Sequence, residues 1–320
     1  MISKLLVGLD GSSLAESVLP YAAAIARAGN VPLVLMRVIP PDHPSELSRE
    51  NPQLLPFMVV MPNVEPASTE DEAARHARQD ARQYLDEVAR KLEQQGVVVE
   101  TAVVRGDPAK VLIEEAELRH ASLILLTTHG RSGLGRWIYG SVAESVVAHS
   151  RIPVFLARAW KVDNSAQLGK RSRILVPLDG TPLAERAVPY AADLARLLGS
   201  ELSLLEVVRP ISASELADDV WLLDETAPTI PEEEASASAY LTDLAQRLRS
   251  DGLSVKTATR VDQVSAGIAA TADAGAALIV MATHAEPALV QALVGSVALE
   301  VLHRAALPVL LVGPAARVPD

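Results

Sequence analysis

The chain contains two copies of one sequence pattern. The segment KLLVGLDGSSLAESVLPYAAAIARAG begins at Lys4, and RILVPLDGTPLAERAVPYAADLARLL begins at Arg173, an offset of 169 residues. Further along, Gly140 matches Gly295 at an offset of 155, so the second copy lacks 14 residues, which we assign to the region after its second strand. A repeat of this length predicts a tandem duplication in which each copy folds into a similar domain.

The length of 320 residues fits two domains of ordinary size. We predict a first domain over residues 1–158, a linker over 159–171 and a second domain over 172–314. Hydrophobic residues make up 49% of the chain and charged residues 22%, a balance typical of globular proteins. Each half can therefore bury a core of its own.

Composition also excludes some classes of binding partner and some cellular compartments. The chain has no cysteine, which excludes disulfides and thiolate metal sites. Its net charge of -11 argues against binding nucleic acid through clustered Lys and Arg. The amino terminus lacks the apolar run of a secretory signal, and no apolar stretch approaches the roughly 20 residues of a membrane span. We therefore expect a cytoplasmic protein that contacts neither nucleic acid nor membrane.

Short apolar runs alternate with longer amphipathic segments in each copy, the pattern of parallel strands joined by crossover helices. Helices are predicted near Ser13, over residues 70–95, after Pro108 and after Gly140, and Ser13 with Glu16 has the spacing of a capping box. The five strands predicted in the first copy are LLVGL, PLVLMRV, VVVETAVV, SLILLT and PVFLA. The predicted fold class is α/β, with two tandem, doubly wound, parallel five-stranded sheets flanked by helices, Rossmann-like in architecture.

A glycine-bearing loop between the fourth strand and the next helix is the main candidate for a functional site. Gly130 is followed, after nine residues, by Gly140 and Ser141. Backbone N–H groups of such a loop and the positive end of the helix dipole converge on one point, which favours an anion. Arg131 can add positive charge, and the Ser141 hydroxyl can donate to a phosphate oxygen. Glycines before a helix also serve purely steric roles, so both interpretations remain open.

Three further motifs lie at strand ends and have structural explanations as well as functional ones. Asp10 directly follows the first strand, where it can form a turn or accept from a ribose hydroxyl or an adenine amine. The triplet Gly106, Asp107 and Pro108 closes the third strand, and a turn is a sufficient explanation for it. His129 has no partner in a catalytic pattern, which is typical of a hydrogen-bonded structural residue.

No catalytic motif fits the spacing of these residues. A Walker A pattern requires Lys followed by Ser or Thr after its second glycine, but Arg136 and Trp137 follow Gly135. Leu134 stands where the G-x-S-x-G nucleophile motif requires glycine, and no H-E-x-x-H zinc pattern occurs. The sequence therefore predicts a binding protein rather than an enzyme.

Three motifs together resemble the universal stress protein family over nearly the whole chain, as two copies in tandem. They are VGLDGS after the first strand, RGDP after the third and THGRSGLGRWIYGSV after the fourth. The family's nucleotide signature, G-x-x-G, nine residues and G-[S/T], is matched at Gly130, Gly140 and Ser141, with Thr127 in place of its first glycine. The resemblance implies an adenine nucleotide, either ATP or AMP or ADP, together with Mg2+.

The resemblance also implies which residues contact the nucleotide. Asp10 would hold the ribose or the base, and the backbone at Val38 would meet the adenine. The phosphates would lie against Gly130, Arg131, Gly133, Gly140, Ser141 and Val142. The full set is Leu9, Asp10, Val38, Gly106, Thr128, His129, Gly130, Arg131, Ser132, Gly133, Gly140, Ser141 and Val142.

The second copy keeps the aspartate after its first strand and the Gly-Ser before its last helix, but it changes the segments between them. AEP at 285–287 replaces GRS at 130–132, and we align VDQ at 261–263 with GDP at 106–108. An alanine side chain restricts the backbone where glycine allows close approach, and Glu286 would place a negative charge near a phosphate. We predict that the second site binds nucleotide weakly or not at all.

The resemblance further implies how the two halves associate. Members of the family commonly pair through the last strand of the sheet, and the matching strands here are PVFLA at 153–157 and PVLLV at 308–312. The halves are therefore predicted to pair as a pseudo-dimer within one chain, which removes an exposed apolar edge. Association of two chains into a homodimer stays open.

The function implied by the resemblance is that of an ATP-binding regulator or sensor in the stress response. Nucleotide occupancy would order the loop at 41–66 or the loop at 131–139 and change a surface for an unidentified protein partner. Two alternatives remain open. One is a slow ATPase or nucleotidyl-transferring enzyme, which the missing general base limits to weak ATP hydrolysis at most. The other is a nucleotide-free interaction scaffold, which the altered second copy favours.

Overall fold

The computed structural model describes most of both halves. It covers residues 2–41, 69–128, 140–158, 168–169, 172–210, 229–283 and 295–316, with residues 69–73 as backbone only. Among the predicted site residues, His129, Gly130, Arg131, Ser132 and Gly133 lie outside this part of the chain. The loop at 131–139 and most of the loop at 41–66 and of the predicted linker lie outside it as well.

Every predicted strand and helix of the first copy forms, and the second copy repeats the set. The strands are β1 (Leu5–Gly8), β2 (Leu33–Ile39), β3 (Val99–Arg105), β4 (Leu123–Thr127), β5 (Val154–Ala157), β6 (Arg173–Leu178), β7 (Glu201–Val208), β8 (Val255–Val261), β9 (Leu278–Ala282) and β10 (Val309–Val312). The helices are α1 (Ser13–Glu16), α2 (Leu19–Gly29), α3 (Thr69–Glu93), α4 (Pro108–Leu118), α5 (Ser141–His149), α6 (Pro182–Glu185), α7 (Ala187–Leu198), α8 (Ile230–Ser250), α9 (Val264–Asp273) and α10 (Ser296–Arg304).

The ten strands join one sheet in the order β3-β2-β1-β4-β5-β10-β9-β6-β7-β8. Within the first half, β1 pairs in parallel with both β2 and β4, and within the second half β6 pairs in the same way with β7 and β9. The strand order reverses beside β1, which leaves a crevice at the carboxyl ends of β1 and β4. The predicted fold class is confirmed.

Helices cover both faces of this sheet. Apart from the partly exposed edge strands β3 and β8, its strands are mostly buried on both sides. Leu5 and Val7 of β1 face a core shared with α2 and α3, while Leu6 faces a second core shared with α4 and α5. Both cores continue into the second half of the chain. Burial on two faces explains why these strands are continuous apolar runs in the sequence.

The two halves join through β5 and β10. These strands pair antiparallel, with Phe155 opposite Leu310, and both side chains are fully buried. The centre of the Phe155 ring lies 5.7 Å from that of Tyr21. Beyond β5, the guanidinium of Arg158 donates to backbone carbonyls at the end of α10, a helix of the other half. The predicted pseudo-dimer through the last strands is confirmed.

The sheet corrects one alignment between the two copies. The Gly106 N–H donates to the Ile39 carbonyl, and the Asp262 N–H donates to the Val208 carbonyl, both at 3.1 Å. Because Ile39 and Val208 end equivalent strands, Asp262, and not Val261, occupies the position of Gly106, and the predicted alignment was wrong by one residue. The helices that follow these positions, α4 and α9, correspond, and α9 has 10 residues where α4 has 11. One of the 14 residues missing from the second copy is therefore missing near the end of α9.

The cap of the first helix also differs from the prediction by one residue. Ser12, and not Ser13, caps α1, because the Ser12 hydroxyl accepts from the Ala15 N–H at 3.1 Å. In the second half, the hydroxyl of Thr181 accepts from the Ala184 N–H at 3.2 Å. Both copies thus satisfy a backbone donor that the first turn of a helix leaves without a partner.

Candidate functional site

A cavity of about 650 Å3 opens at the carboxyl edge of β1, β2 and β4. Its walls come from these strand ends, from α3 and α4, and from the first turn of α5. This volume lies in the range of roughly 300–1,000 Å3 that is typical of sites for small molecules and cofactors. The cavity therefore occupies the place where doubly wound sheets bind their ligands.

Most of the predicted site residues that the structure describes line this cavity. They are Leu9, Asp10, Val38, Gly140, Ser141 and Val142. Gly106 and Thr128 do not line it. At Gly106, where φ is +150°, a Cβ would lie 2.7 Å from the Val111 side chain, so backbone conformation and packing explain the glycine. Thr128 is buried, and its carbonyl accepts from the Gly140 N–H at 2.8 Å.

The apolar part of the wall was not predicted from the sequence. It is formed by Met36, Ile39, Ala77, Leu112 and Leu126. These residues come from four separate elements, β2, α3, α4 and β4, so no local sequence pattern joins them. Such a wall favours a flat, weakly polar group, for example a purine base.

The amino terminus of α5 borders the cavity through Gly140, Ser141, Val142 and Ala143. Gly140 is the N-cap residue and makes no side-chain capping hydrogen bond. The N-cap residue therefore leaves the first N–H groups of this helix without a cap of its own, and the positive end of the helix dipole lies at the same place. Both features favour an anion at this wall of the cavity.

Asp10 has a structural partner in addition to its place in the cavity. Its Oδ1 accepts from the Ser12 N–H at 2.8 Å, which closes a turn between the strand and the helix. The equivalent Asp179 makes the same contact, with its Oδ1 3.0 Å from the Thr181 nitrogen. The turn alone explains an aspartate in both copies, so a role at a ligand has to be tested by comparing the two.

Arg37 lines the cavity, and the sequence patterns did not single it out. Its guanidinium carbon lies 5.4 Å from the centre of the Tyr84 ring, within cation–π range. Burial raises the pKa of Tyr84, the carboxylates of Glu16 and Asp10 raise it further, and the charge of Arg37 lowers it. Arg37 therefore lies among two carboxylates and an aromatic ring. A charged residue near the end of an apolar strand was the signal that could have identified it.

Glu206 occupies the position of Arg37 in the second half, at the offset of 169 that relates the second strands. Its Oε2 is buried and has no hydrogen-bond partner among the described residues. Burial raises the pKa of Glu206, and the negative charge of Asp179 raises it further. The nearby Tyr240 hydroxyl donates to Glu185 at 3.0 Å. The second half thus has a third carboxylate where the first half has a guanidinium.

The raised pKa of Glu206 predicts a pH-dependent effect of Glu206→Gln. A carboxyl whose pKa is higher in the folded chain contributes stability below its unfolded pKa of about 4.3 and loses that contribution as pH rises through the folded pKa. The variant, which carries no charge at this position, is therefore expected to be more stable than the wild-type chain at pH 7, with a smaller difference near pH 4. Urea midpoints at the two pH values measure this. Glu117→Gln, at an exposed position of α4, is the control and is expected to show no such difference.

Two other kinds of feature are absent from the described ranges. No group of three or more His, Asp or Glu side chains within them could hold a metal ion. No helix within them is both long enough and apolar enough to cross a bilayer. The cavity beside β1 therefore remains the candidate site.

The sheet forms two tandem Rossmann-like domains, and the first contains a cavity of a size typical of small-molecule sites. The model of the Universal stress protein family matches residues 1–158 and, a second time, residues 170–313. The chain therefore belongs to the universal stress protein family.

Relatives match over the full tandem length. A universal stress protein of Mycolicibacterium smegmatis is 27% identical over 311 residues, which cover 97% of each chain. A universal stress protein of Mycobacterium tuberculosis is 27% identical over 312 residues, which cover 95% of each chain. Among solved structures, a universal stress protein of Archaeoglobus fulgidus aligns with 96% of this chain and 97% of its own, with a TM-score of 0.65 and 22% identity. This last similarity supports the fold.

Proposed function

We propose that this protein binds an adenine nucleotide, ATP or else AMP or ADP, in the cavity of its first half and acts as a nucleotide-dependent regulator in the stress response. The observation that carries the proposal is the combination of three walls in one cavity of about 650 Å3. The amino terminus of α5, whose N-cap residue is glycine, favours phosphate. The apolar strand ends favour a purine, and the carboxylate of Asp10 can accept from a ribose hydroxyl.

The rest of the phosphate site is assigned by the family resemblance. His129, Gly130, Arg131, Ser132 and Gly133 would approach the phosphates from the loop before α5. The described residues offer no cluster that could hold a metal ion, so we assign Mg2+ to the phosphates of ATP and their surrounding water. Binding and charge neutralisation are then the roles of the chain, and the proposal contains no catalytic step.

The ends of two loops suggest how a bound nucleotide would act on a partner. Pro40, one residue before the loop at 41–66, lines the cavity, and so does Gly140, which follows the loop at 131–139. A ligand in the cavity would therefore contact the chain where both loops begin or end. We propose that nucleotide occupancy of the cavity orders one or the other of these loops. This would change a surface to which an unidentified protein partner binds.

Several further points stay predictions. They are the domain limits at 1–158 and 172–314 with the linker at 159–171, the cytoplasmic location, and the homodimer of two-domain chains. If the protein hydrolyses ATP slowly, it is an enzyme rather than a regulator that only binds the nucleotide.

Calorimetric titration of the full chain with ATP and Mg2+ tests the proposed function. Saturable binding is expected, and it should be tighter than binding of inorganic tripolyphosphate, which can contact only the phosphate wall. Phosphate release from ATP measured over the same period separates binding from hydrolysis. A chain that binds none of ATP, ADP and AMP would contradict the proposal.

A further inference from the structure

The two halves carry opposite charges at one equivalent position, while three neighbouring groups are the same. Arg37 of β2 and Glu206 of β7 correspond at the offset of 169. The neighbours kept in both halves are Asp10 and Asp179, Glu16 and Glu185, and Tyr84 and Tyr240. The charge at this position is therefore reversed between the halves, although an aspartate, a glutamate and a tyrosine lie near it in both.

The larger Arg37 side chain fills space that is open in the second half. A Cβ placed on Gly11 would lie 3.1 Å from the guanidinium carbon of Arg37. At Gly180, the equivalent glycine, a Cβ would meet nothing within 4 Å. Arg37 thus packs between the turn after β1 and the ring of Tyr84, and Glu206 leaves the corresponding space unfilled.

The charge of Arg37 matters because the cavity also contains carboxylates. Asp10 and Asp80 line it, and Glu16 lies close enough to act on the same tyrosine as Asp10. A nucleotide with several phosphates is repelled by such carboxylates, and the repulsion is strong where solvent screening is weak. Among the described residues that line the cavity, Arg37 supplies the positive side chain.

We propose that Arg37 sets the preference of the first site for anionic ligands and that Glu206 makes the equivalent region of the second half reject them. This inference rests on the proposed nucleotide function. Arg37 lies against the turn at Gly11 and lines the same cavity as Asp10 and Asp80, so it acts by neutralising the carboxylates and needs no direct contact with a phosphate. Glu206 instead adds a negative charge next to Asp179. Position 37 is then a selectivity position, and the phosphate contacts belong to the start of α5.

A charge series of ligands tests this on the full chain. Affinities for ATP, AMP and adenosine are measured for the wild-type chain, Arg37→Glu and Arg37→Met. Arg37→Glu is expected to weaken ATP binding by roughly tenfold or more relative to adenosine, with AMP between them. Arg37→Met, which keeps an apolar stem over Tyr84 but carries no charge, is expected to give smaller losses in the same ranking, largest for ATP and smallest for adenosine. Added salt should reduce the difference between ATP and adenosine.

The matched control is Glu206→Gln, which removes the charge at the equivalent position of the second half and is expected to leave the three affinities of the first site unchanged. An equal loss for ATP and adenosine in Arg37→Glu, or an unchanged affinity for ATP, would overturn the inference and leave the proposed function standing. A wild-type chain that binds none of the three ligands would overturn both. Arg37→Met supplies the same comparison if Arg37→Glu does not fold.

Discussion

Replacing Phe155 with alanine is expected to lower the free energy of unfolding by about 3–5 kcal/mol. Phe155 is fully buried on β5, where the two halves of the chain meet, and its ring contacts the ring of Tyr21. Removing the ring leaves a cavity in a core that continues from one half into the other, so the lost contacts are not replaced. Urea unfolding of the full chain measures the effect.

Two further variants make this result specific to the junction. Leu118→Ala changes a side chain that is 72% exposed, and its effect should stay within about 0.5 kcal/mol. Leu310→Ala removes the residue opposite Phe155 on β10, and the double variant should show a coupling of about 0.5–3 kcal/mol. Simple additivity of the two changes would indicate that β5 and β10 are not paired in solution.

The second large effect is expected on the affinity for the nucleotide. Asp10→Ala should weaken adenine nucleotide binding by roughly tenfold to a hundredfold, because a hydrogen bond to a charged group contributes about 1.5–3 kcal/mol. Calorimetry with ATP measures the loss. Asp179→Ala breaks the equivalent turn of the second half, since Asp179 accepts from the Thr181 N–H as Asp10 accepts from the Ser12 N–H, so it shows whether the loss of affinity is specific to the first half.

Asp179→Ala is expected to lower stability at least as much as Asp10→Ala, because Asp179 also accepts from the Thr181 hydroxyl at 2.6 Å, and to leave the affinity for ATP unchanged. This outcome would place the loss of affinity in the first half. If both variants lose affinity equally, the second half contributes to binding. If neither does, the aspartate serves only the turn.

The sequence was sufficient to predict the fold because the inner strands are apolar on both faces and most helices begin at a recognisable boundary. The pairing of β5 with β10 was likewise visible as two matching apolar runs. The alignment after the third strands failed by one residue because the compensating deletion lies around the end of α9, an alanine-rich segment without a distinctive residue.

The candidate site was predicted only in part. Asp10, Val38 and the Gly-Ser at the start of α5 stand at strand and helix ends, where a linear pattern identifies them. Arg37 and the apolar wall depend on which segments meet at the edge of the sheet, and that is a property of the sheet order. The opposite charges of Arg37 and Glu206 could be interpreted only once the neighbouring aspartate, glutamate and tyrosine of the two halves were known to correspond.

Native mass spectrometry of the full chain with ATP and Mg2+ tests the central claim most directly, because it identifies the ligand and counts it per chain. One adenine nucleotide per chain is expected, lost in Asp10→Ala and retained in Asp179→Ala. Two equivalent nucleotides per chain would contradict the claim that the halves differ, and no bound nucleotide would contradict the assignment of the cavity.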